Sequence, residues 1–300
     1  MTIGGHVRRH ALIRRILMAA AAVAATLLVA AGGGSPASAA PRAGAAMSGY
    51  LYWSNATASD PGKGTIGRAR LNGTDLNQKF ITGASVPGVV LVFGGYLYWA
   101  NLAPLNDGAG TIGRARLNGT DVNQKFIKTA QPNGPDDVVA DSGHLYWAND
   151  FNIGRANLNG TDVIQNFIAV PNGPSGVSAL AANARYIYWT DETAGTIGRA
   201  RLNGTDVNQK FITGAAFPQT GLAIDSRYIY WINETGGTIG RARLNGTDVN
   251  QKFIKVPGAD ILLGVAVDPG QRGRARNHSS LSTGSGPTLA RTGGGPATGA

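Results

Sequence analysis

Between residues 46 and 270 the chain carries one histidine, His144, two glutamates, Glu192 and Glu234, and no cysteine. An imidazole with carboxylates is the set that general acid–base catalysis or a divalent-metal site would draw on. The spacing argues against both. No Ser or Cys stands at a recognisable distance from His144 for a nucleophile–base pair, and no His/Cys cluster has zinc-ligand spacing. His144 occupies the place that Tyr50, Tyr96, Tyr186 and Tyr228 hold in otherwise similar segments, so it reads as one aromatic exchanged for another. No catalytic residue, metal or cofactor is expected.

Two other residue sets recur. Arg68, Arg114, Arg155, Arg199 and Arg241 are followed two residues on by Arg70, Arg116, Arg201 and Arg243, and the tryptophans Trp53, Trp99, Trp147, Trp189 and Trp231 each follow a tyrosine. An anion-binding ring of arginines or an exposed aromatic row for sugars or bases is one reading. The other is architecture, and the sequence favours it. The block TIGRARLNGTDVNQKFI stands unchanged at Thr111–Ile127, Thr196–Ile212 and Thr238–Ile254; Thr65–Ile81 differs by Leu76, and Asn152–Ile168 is a degenerate fifth copy. Repeats of this period are supersecondary units stacked in an array.

Each repeat contains four short strand signals separated by Gly, Asn, Asp and Pro clusters. In the last repeat they are Gly221–Asp225, Tyr228–Trp231, Thr238–Leu244 and Asn250–Ile254. The Asn-Gly pair between the third and fourth, as at Asn245-Gly246, is a hairpin signal in which both residues tolerate positive φ. Four antiparallel strands repeated every 42–48 residues predict an all-β propeller. Alternation sets Ile66, Arg68 and Arg70 on one sheet face and Gly67, Ala69 and Leu71 on the other. Five Tyr-Trp pairs then fill the gaps between blades, and the arginine stems lie over apolar surface and pair with acids such as Asp75, Asp121, Asp206 and Asp248.

Tyr188-Trp189-Thr190-Asp191, followed by an I-G-R-A-x-L-N-G-T block, resembles the YWTD repeat of the low-density-lipoprotein-receptor class B propellers over residues 50 to about 268. The other copies read Tyr52-Trp53-Ser54-Asn55, Tyr98-Trp99-Ala100-Asn101, Tyr146-Trp147-Ala148-Asn149 and Tyr230-Trp231-Ile232-Asn233. The resemblance implies structural hydrogen bonding for the motif Thr and Asp191, and a secreted protein- or glycan-binding role. That family usually has six blades. Here an apolar first strand occurs at Val89–Phe93, Asp137–Ala140, Val177–Leu180, Gly221–Asp225 and Gly264–Asp268, but none precedes Tyr50. The expectation is therefore five blades, with Gly264–Asp268 completing the first in a one-plus-three closure that removes open sheet edges; an incomplete six-bladed propeller is the alternative. Streptogramin lyases are also similar in their Gly-rich propeller repeats, which implies a lyase alternative using His144, Glu192 and Glu234.

The flanks differ in kind. Residues 1–40, with Arg8, Arg9, Arg14 and Arg15, the apolar run Ile16–Ala31 and Ala37-Ser38-Ala39, predict a signal peptide, by the Sec or twin-arginine route; an uncleaved anchor is the alternative. A short linker covers 41–49, the propeller 50–270, and a Gly/Ser/Pro/Arg tail without burial potential 271–300, including an LAxTG-like Leu289–Gly293. All 17 acidic residues and 18 of the 27 basic ones lie in 46–270, so this region is close to neutral and nucleic acid is not an expected partner. The expected product is a monomer without a stable membrane span, secreted to the exterior or held at the cell envelope.

Symmetry breaks in one place. From the motif Trp to the following Ile the spacing is 13 residues in the first two repeats, then 6, 8 and 8. The long loops Ser54–Gly64 and Ala100–Gly110 hold Asp60, Lys63, Asn106 and Asp107, and should share a rim with the connections Thr82–Gly88 and Lys128–Asp137, the latter bringing Asp136 and Asp137. Insertions gathered on one face are how repeat scaffolds build binding surfaces; tolerated loop drift is the alternative.

Overall fold

A computed structural model describes residues 49–56, 63–102, 110–129, 134–149, 151–170, 176–218, 221–257, 262 and 264–267. The expected leader and tail, and nearly all of the linker, lie outside them. The described residues form 19 strands in five antiparallel sheets. The first sheet is β1 (Tyr50–Asn55), β2 (Gly64–Arg70) and β3 (Asn77–Ala84); the second is β4 (Pro87–Phe93), β5 (Tyr96–Asn101), β6 (Thr111–Arg116) and β7 (Asn123–Lys128). The third is β8 (Val138–Ala140), β9 (His144–Asn149), β10 (Asn152–Asn157) and β11 (Ile164–Ala169). The fourth is β12 (Val177–Ala182), β13 (Tyr186–Asp191), β14 (Thr196–Arg201) and β15 (Asn208–Thr213), and the fifth is β16 (Leu222–Ile224), β17 (Tyr228–Asn233), β18 (Thr238–Arg243) and β19 (Asn250–Lys255). Each sheet is a meander in chain order, as propeller blades are.

Within every sheet the motif Trp lies directly opposite the Gly of the IGR segment: Trp53 with Gly67, Trp99 with Gly113, Trp147 with Gly154, Trp189 with Gly198, Trp231 with Gly240. The indole lies over that glycine so closely that an added Cβ would come within 2.0–2.3 Å of a ring carbon. Trp99, Trp147, Trp189 and Trp231 are fully buried. Burying such a ring removes roughly 150–250 Å² from water, worth about 4–6 kcal/mol gross.

The faces divide as the alternation requires. Ile66, Ile81, Tyr52 and Phe80 of the first sheet pack against Leu97, Trp99, Ala115 and Leu117 of the second, and equivalent residues build the next three interfaces. Each sheet thus meets the following one with its Tyr face and the preceding one with its Trp face. The outer-strand Phe seats on the turn glycine of the next sheet: Phe80 on Gly119, Phe126 on Gly160, Phe167 on Gly204 and Phe211 on Gly246.

Two expectations change in detail. In the Asn-Gly turn only the glycine takes positive φ (84° at Gly73), with Gly73 N–H donating to Arg70 C=O and Arg70 N–H to Thr74 C=O. This is a type I turn with a G1 bulge, which suits a three-residue loop. Asn72 serves by its side chain instead, Oδ1 accepting from the Thr74 N–H at 3.1 Å. The arginine rows also part company. Arg70, Arg116, Arg201 and Arg243 pair with Asp75, Asp121, Asp206 and Asp248, whereas Arg68 lies between the rings of Tyr50 and Phe80 at 4.2 and 4.0 Å and reaches Leu117 C=O of the next sheet.

The one-plus-three closure is not made in this structure. The first sheet has three strands, and Gly264–Val267 carry no strand. β1 is consequently half-exposed along its whole length, where β5, β9 and β13 are buried from their second residue onward.

Filling the space beneath a fixed indole should be costly. Gly198→Ala is expected to lower stability by about 3 kcal/mol in urea denaturation, at the upper end for overpacking. Gly67→Ala, beneath the less buried Trp53, is expected to cost about 1 kcal/mol because that ring has room to move.

Candidate functional site

The rim at which β1 and β5 end is built by hydrogen bonds from the fourth motif residue. Asn101 Nδ2 donates to Gln124 C=O at 2.8 Å and to Thr111 Oγ1 at 3.1 Å, while its Oδ1 accepts from the Ser85 N–H at 3.0 Å. One amide therefore ties the outer strand, the third strand and the connection from the preceding sheet. Asn233 does the same with Gln251 C=O, Thr238 and Ala216. Asp191, fully buried, accepts from the Ala194 N–H at 2.9 Å, and Thr190 Oγ1 accepts from the Ala179 N–H at 3.0 Å. These are structural duties.

Loops and inter-sheet connections meet on this rim. Gly64, closing the first long loop, abuts Pro87 so tightly that a Cβ would lie 2.2 Å from its ring. Gly110, closing the second, abuts Gly134, and Thr129 donates to the Gly110 carbonyl from both N–H and Oγ1. Leu102 N–H bonds to Val86 C=O. Of the residues singled out from sequence, Asp60, Asn106 and Asp107 lie outside the described residues. Lys63 is exposed where the first loop rejoins β2.

Asp136 and Asp137 stand where the third sheet begins. Asp136 N–H donates to Ala148 C=O. Asp137 occupies a place held by Val89, Ala179 and Gly221 in other repeats. Its Oδ1 accepts from its neighbour Val138 N–H at 2.7 Å, and its Oδ2 from the Leu180 N–H of the fourth sheet at 2.8 Å. Asp137 keeps some accessible surface, but its carboxyl is crowded by protein atoms, and burial pushes it up to about 6 against the pull of those two bonds. It is an inter-sheet latch that two N–H groups already occupy.

His144 begins β9, half-exposed, with Nδ1 3.6 Å from Asp141 Oδ1. Asp141 is partly buried, which raises its carboxyl, but the N–H groups of Gly143 and His144 and the Tyr146 hydroxyl outweigh this and hold it below the ordinary value. Glu192 and Glu234 follow the ends of β13 and β17. A six-residue strand spans about 20 Å, so His144 and the two glutamates sit at opposite ends of equivalent strands. Among the described residues no three His, Cys, Asp or Glu side chains form a metal-holding group, and no helix is long and apolar enough to cross a membrane.

The sequence reading missed three rim residues. Val86 and Phe217 both precede a proline in an inter-sheet connection and both have positive φ, 46° and 58°. The third sheet has Gly134 before Pro135 at the equivalent point, φ 70°, where the conformation is free of penalty. A β-branched or aromatic residue there carries backbone strain of order 1–3 kcal/mol. Phe217 is 39 % exposed, as is Phe151 (43 %) in the loop before β10. The available signal was the X-Pro step, where two copies depart from Gly-Pro.

No protein-family model and no curated protein sequence matches the chain. Solved propellers do resemble it in fold. A structure from a nidogen/laminin complex aligns with TM-score 0.53 at 20% identity over 72% of this chain and 80% of that one. Virginiamycin B lyase from Staphylococcus aureus aligns with TM-score 0.54 at 19% identity over 73% and 71%, and another streptogramin B lyase structure with 0.52 at 17% over 71% and 67%. These likenesses show a β-propeller fold.

The Asp137 latch has a pH signature. Its folded value near 6 exceeds the ordinary 3.8, so the folded state holds the proton more tightly and stability falls as pH rises from about 4 through 6. The full loss is roughly 3 kcal/mol at about 1.4 kcal/mol per unit. Urea denaturation between pH 4 and 7 should show a decline in the native protein that is absent from Asp137→Asn. Asp141, held low, contributes only below about pH 4 and with the opposite sign.

Proposed function

We propose that the chain is an exported, non-catalytic, monomeric propeller of the YWTD class that binds a protein or a cell-surface glycan through the rim of its first two sheets. The observation that carries this reading is the meeting of long loops and inter-sheet connections at Gly64–Pro87 and Gly110–Gly134. The extra residues of the first two repeats are inserted in sequence between strands whose ends the repeated hydrogen bonds tie together, and a rigid scaffold carrying variable loops is a common basis for recognition. The repeat-equivalent Trp and Asn side chains and the Arg68 row make contacts within the fold, and the Arg70 row is held in exposed ion pairs, which leaves recognition to these loops. A protein partner is the reading that the nidogen/laminin complex offers by analogy.

The competing reading is a lyase, by analogy with the streptogramin lyases. It would need His144 and a glutamate to act on one substrate. Their places at opposite strand ends argue against that, because general acid–base groups must lie within hydrogen-bond reach of the same reacting atoms.

Exchanging Ala100–Gly110 for the short Ala148–Asn152 loop should abolish capture of partners from culture supernatant and cell envelope, a loss of at least tenfold in bound material, while leaving the thermal transition within a few degrees. Undiminished capture by the exchanged protein would refute the rim. Divalent-metal-dependent turnover that disappears in His144→Ala would favour the lyase.

A further inference from the structure

Two arginines stand outside the repeating rows. Arg185 and Arg227 immediately precede β13 and β17, where the first three sheets have Gly49, Gly95 and Gly143. They lie at the end of their sheets opposite the long loops, since Tyr186 and Tyr228 begin the strands that Asp191 and Asn233 finish. The backbone duties of this position need no side chain. Gly143 N–H donates to Asp141 Oδ1, and its carbonyl accepts from the Leu158 N–H; Arg185 makes the same two bonds with Asn183 and Leu202. Both arginines are exposed, and among the described residues no hydrogen bond, ion pair or ring contact engages either guanidinium.

Each borders an open cleft. In the fourth sheet Arg185, Tyr186, Arg201, Leu202 and Asn203 line one of about 510 Å³, and their equivalents from Arg227 to Asn245 line one of about 400 Å³ in the fifth. The polar groups left available there are donors. Arg201 and Arg243 are neutralised by Asp206 and Asp248. Asn203 Oδ1 accepts from the Thr205 N–H and hydroxyl, and Asn245 Oδ1 from those of Thr247, which leaves each amide its NH2 donors. The half-buried tyrosine supplies an apolar wall. In the first two sheets Arg70 and Arg116 lie over the Tyr50 and Tyr96 rings at 5.4 and 5.7 Å; at Tyr186 and Tyr228 only Arg199 and Arg241 are so placed, at 4.4 Å. The clefts also adjoin. Arg199, over the Tyr186 ring of the first, donates at 3.2 Å to the Leu244 carbonyl in the wall of the second. Sheets packed face to face lie about 10 Å apart, so one extended ligand can meet both free guanidiniums.

We propose that these two clefts bind an acidic polysaccharide. Arg185 and Arg227 each meet a carboxylate or sulfate of the chain, sugar hydroxyls accept from the Asn203 and Asn245 amides, and a pyranose ring rests against each tyrosine. An uncompensated guanidinium among neutral donors selects an anion with further acceptors around it. A stiff polymer with charges at regular intervals matches two equal subsites at a fixed separation, and it loses less conformational freedom on binding than an acidic peptide would. Open clefts suit residues within a chain, and two of them on one frame bind more tightly than either alone. The fourth-sheet cleft is the stronger, because the side chain that accepts from the Arg185 N–H is the neutral Asn183, where Arg227 has the carboxylate of Asp225. The inference does not depend on the rim of the first two sheets as a binding surface.

Titration of the full chain at about 0.1 M salt, where exposed charges are screened beyond roughly 10 Å, tests this. Polygalacturonate or dextran sulfate should bind and neutral dextran should not, the tighter of the two polyanions assigning the group as carboxylate or sulfate. Arg185→Gly with Arg227→Gly, which copies Gly143 of the third sheet, should weaken that binding at least tenfold and leave the thermal transition within a few degrees. Arg185→Gly alone should cost more than Arg227→Gly alone. Lys79→Gln with Lys125→Gln removes the same charge from the exposed outer strands of the first two sheets and should change binding less than twofold. Equal weakening by the lysine pair would reduce the effect to net charge and overturn the proposal. Equal affinity for polyglutamate would assign the clefts to acidic peptides and overturn it too, as would binding of neither acidic polysaccharide.

Discussion

Everything in this fold that repeats depends on an indole lying flat on a glycine. The motif Trp must cross from the second strand over the third, and only a residue without a Cβ leaves room for it. That contact sets the Trp face of each sheet and gives the preceding sheet a flat aromatic floor to pack on. The indole N–H then needs an acceptor, because a buried donor left unpaired costs about 1–3 kcal/mol. Gln78, Gln124 and Gln251 accept it, whereas the Trp147 and Trp189 N–H groups are buried without an acceptor; the amide of Gln124 or Gln251 reaches on to a carbonyl of the preceding sheet. One glycine thus leads, through Trp and Gln, to the spacing between sheets.

Much of this was legible in the sequence because it is periodic. The strands, the two faces of the IGRAR segment and the burial of four of the five tryptophans follow from alternation and from counting repeats. The fate of Arg68 and its equivalents was not legible. Alternation placed them on the Tyr face, but the closing of Phe80 and Tyr50 around the guanidinium, and a hydrogen bond to a carbonyl of the next sheet rather than to an acid, depend on contacts that alternation does not encode. The Asn-Gly turn misled for a related reason. The dipeptide suits a two-residue loop, and the Arg70–Thr74 pairing makes a three-residue one. Asp137 was noticed as a loop acid, but its use as a latch depends on Leu180, 43 residues away, and long-range partners leave no local trace.

Functional inference runs the opposite way, through what does not repeat. A side chain present five times in equivalent settings is bound by the same packing five times, so its conservation among copies carries no information about a ligand. The rim departures are of two kinds. The loop insertions add residues without evident cost to the frame, since the glycines that close them, Gly64 and Gly110, are fixed against neighbouring connections. Val86 and Phe217 instead hold backbone conformations that glycine would adopt more easily. Val86 is buried between the first two sheets and its side chain contributes packing in return. Phe217 carries the same strain while 39 % exposed, so less of its side chain is buried in return.

The character of the two end faces bears on how the array holds together. Open repeat arrays are stabilised by interfaces between neighbours, and their terminal units normally turn a polar face outward. Here the terminal faces carry the residues of internal ones: Phe253, Ile254 and Tyr230 at one end, Trp53 and Leu51 at the other. No polar substitution marks either end as a boundary. An array built as a solenoid would have been expected to differentiate its last copy from its internal ones, and Thr238–Ile254 is identical to the second copy, Thr111–Ile127. The end sheets therefore leave partly exposed side chains that the internal sheets cover: Ile254 is 45 % exposed where Ile212 is 2 % exposed. In such an array an outer sheet can separate with the loss of one interface, whereas an internal one is held by two, so local opening is expected to start at the first and fifth sheets and to reach the middle ones last.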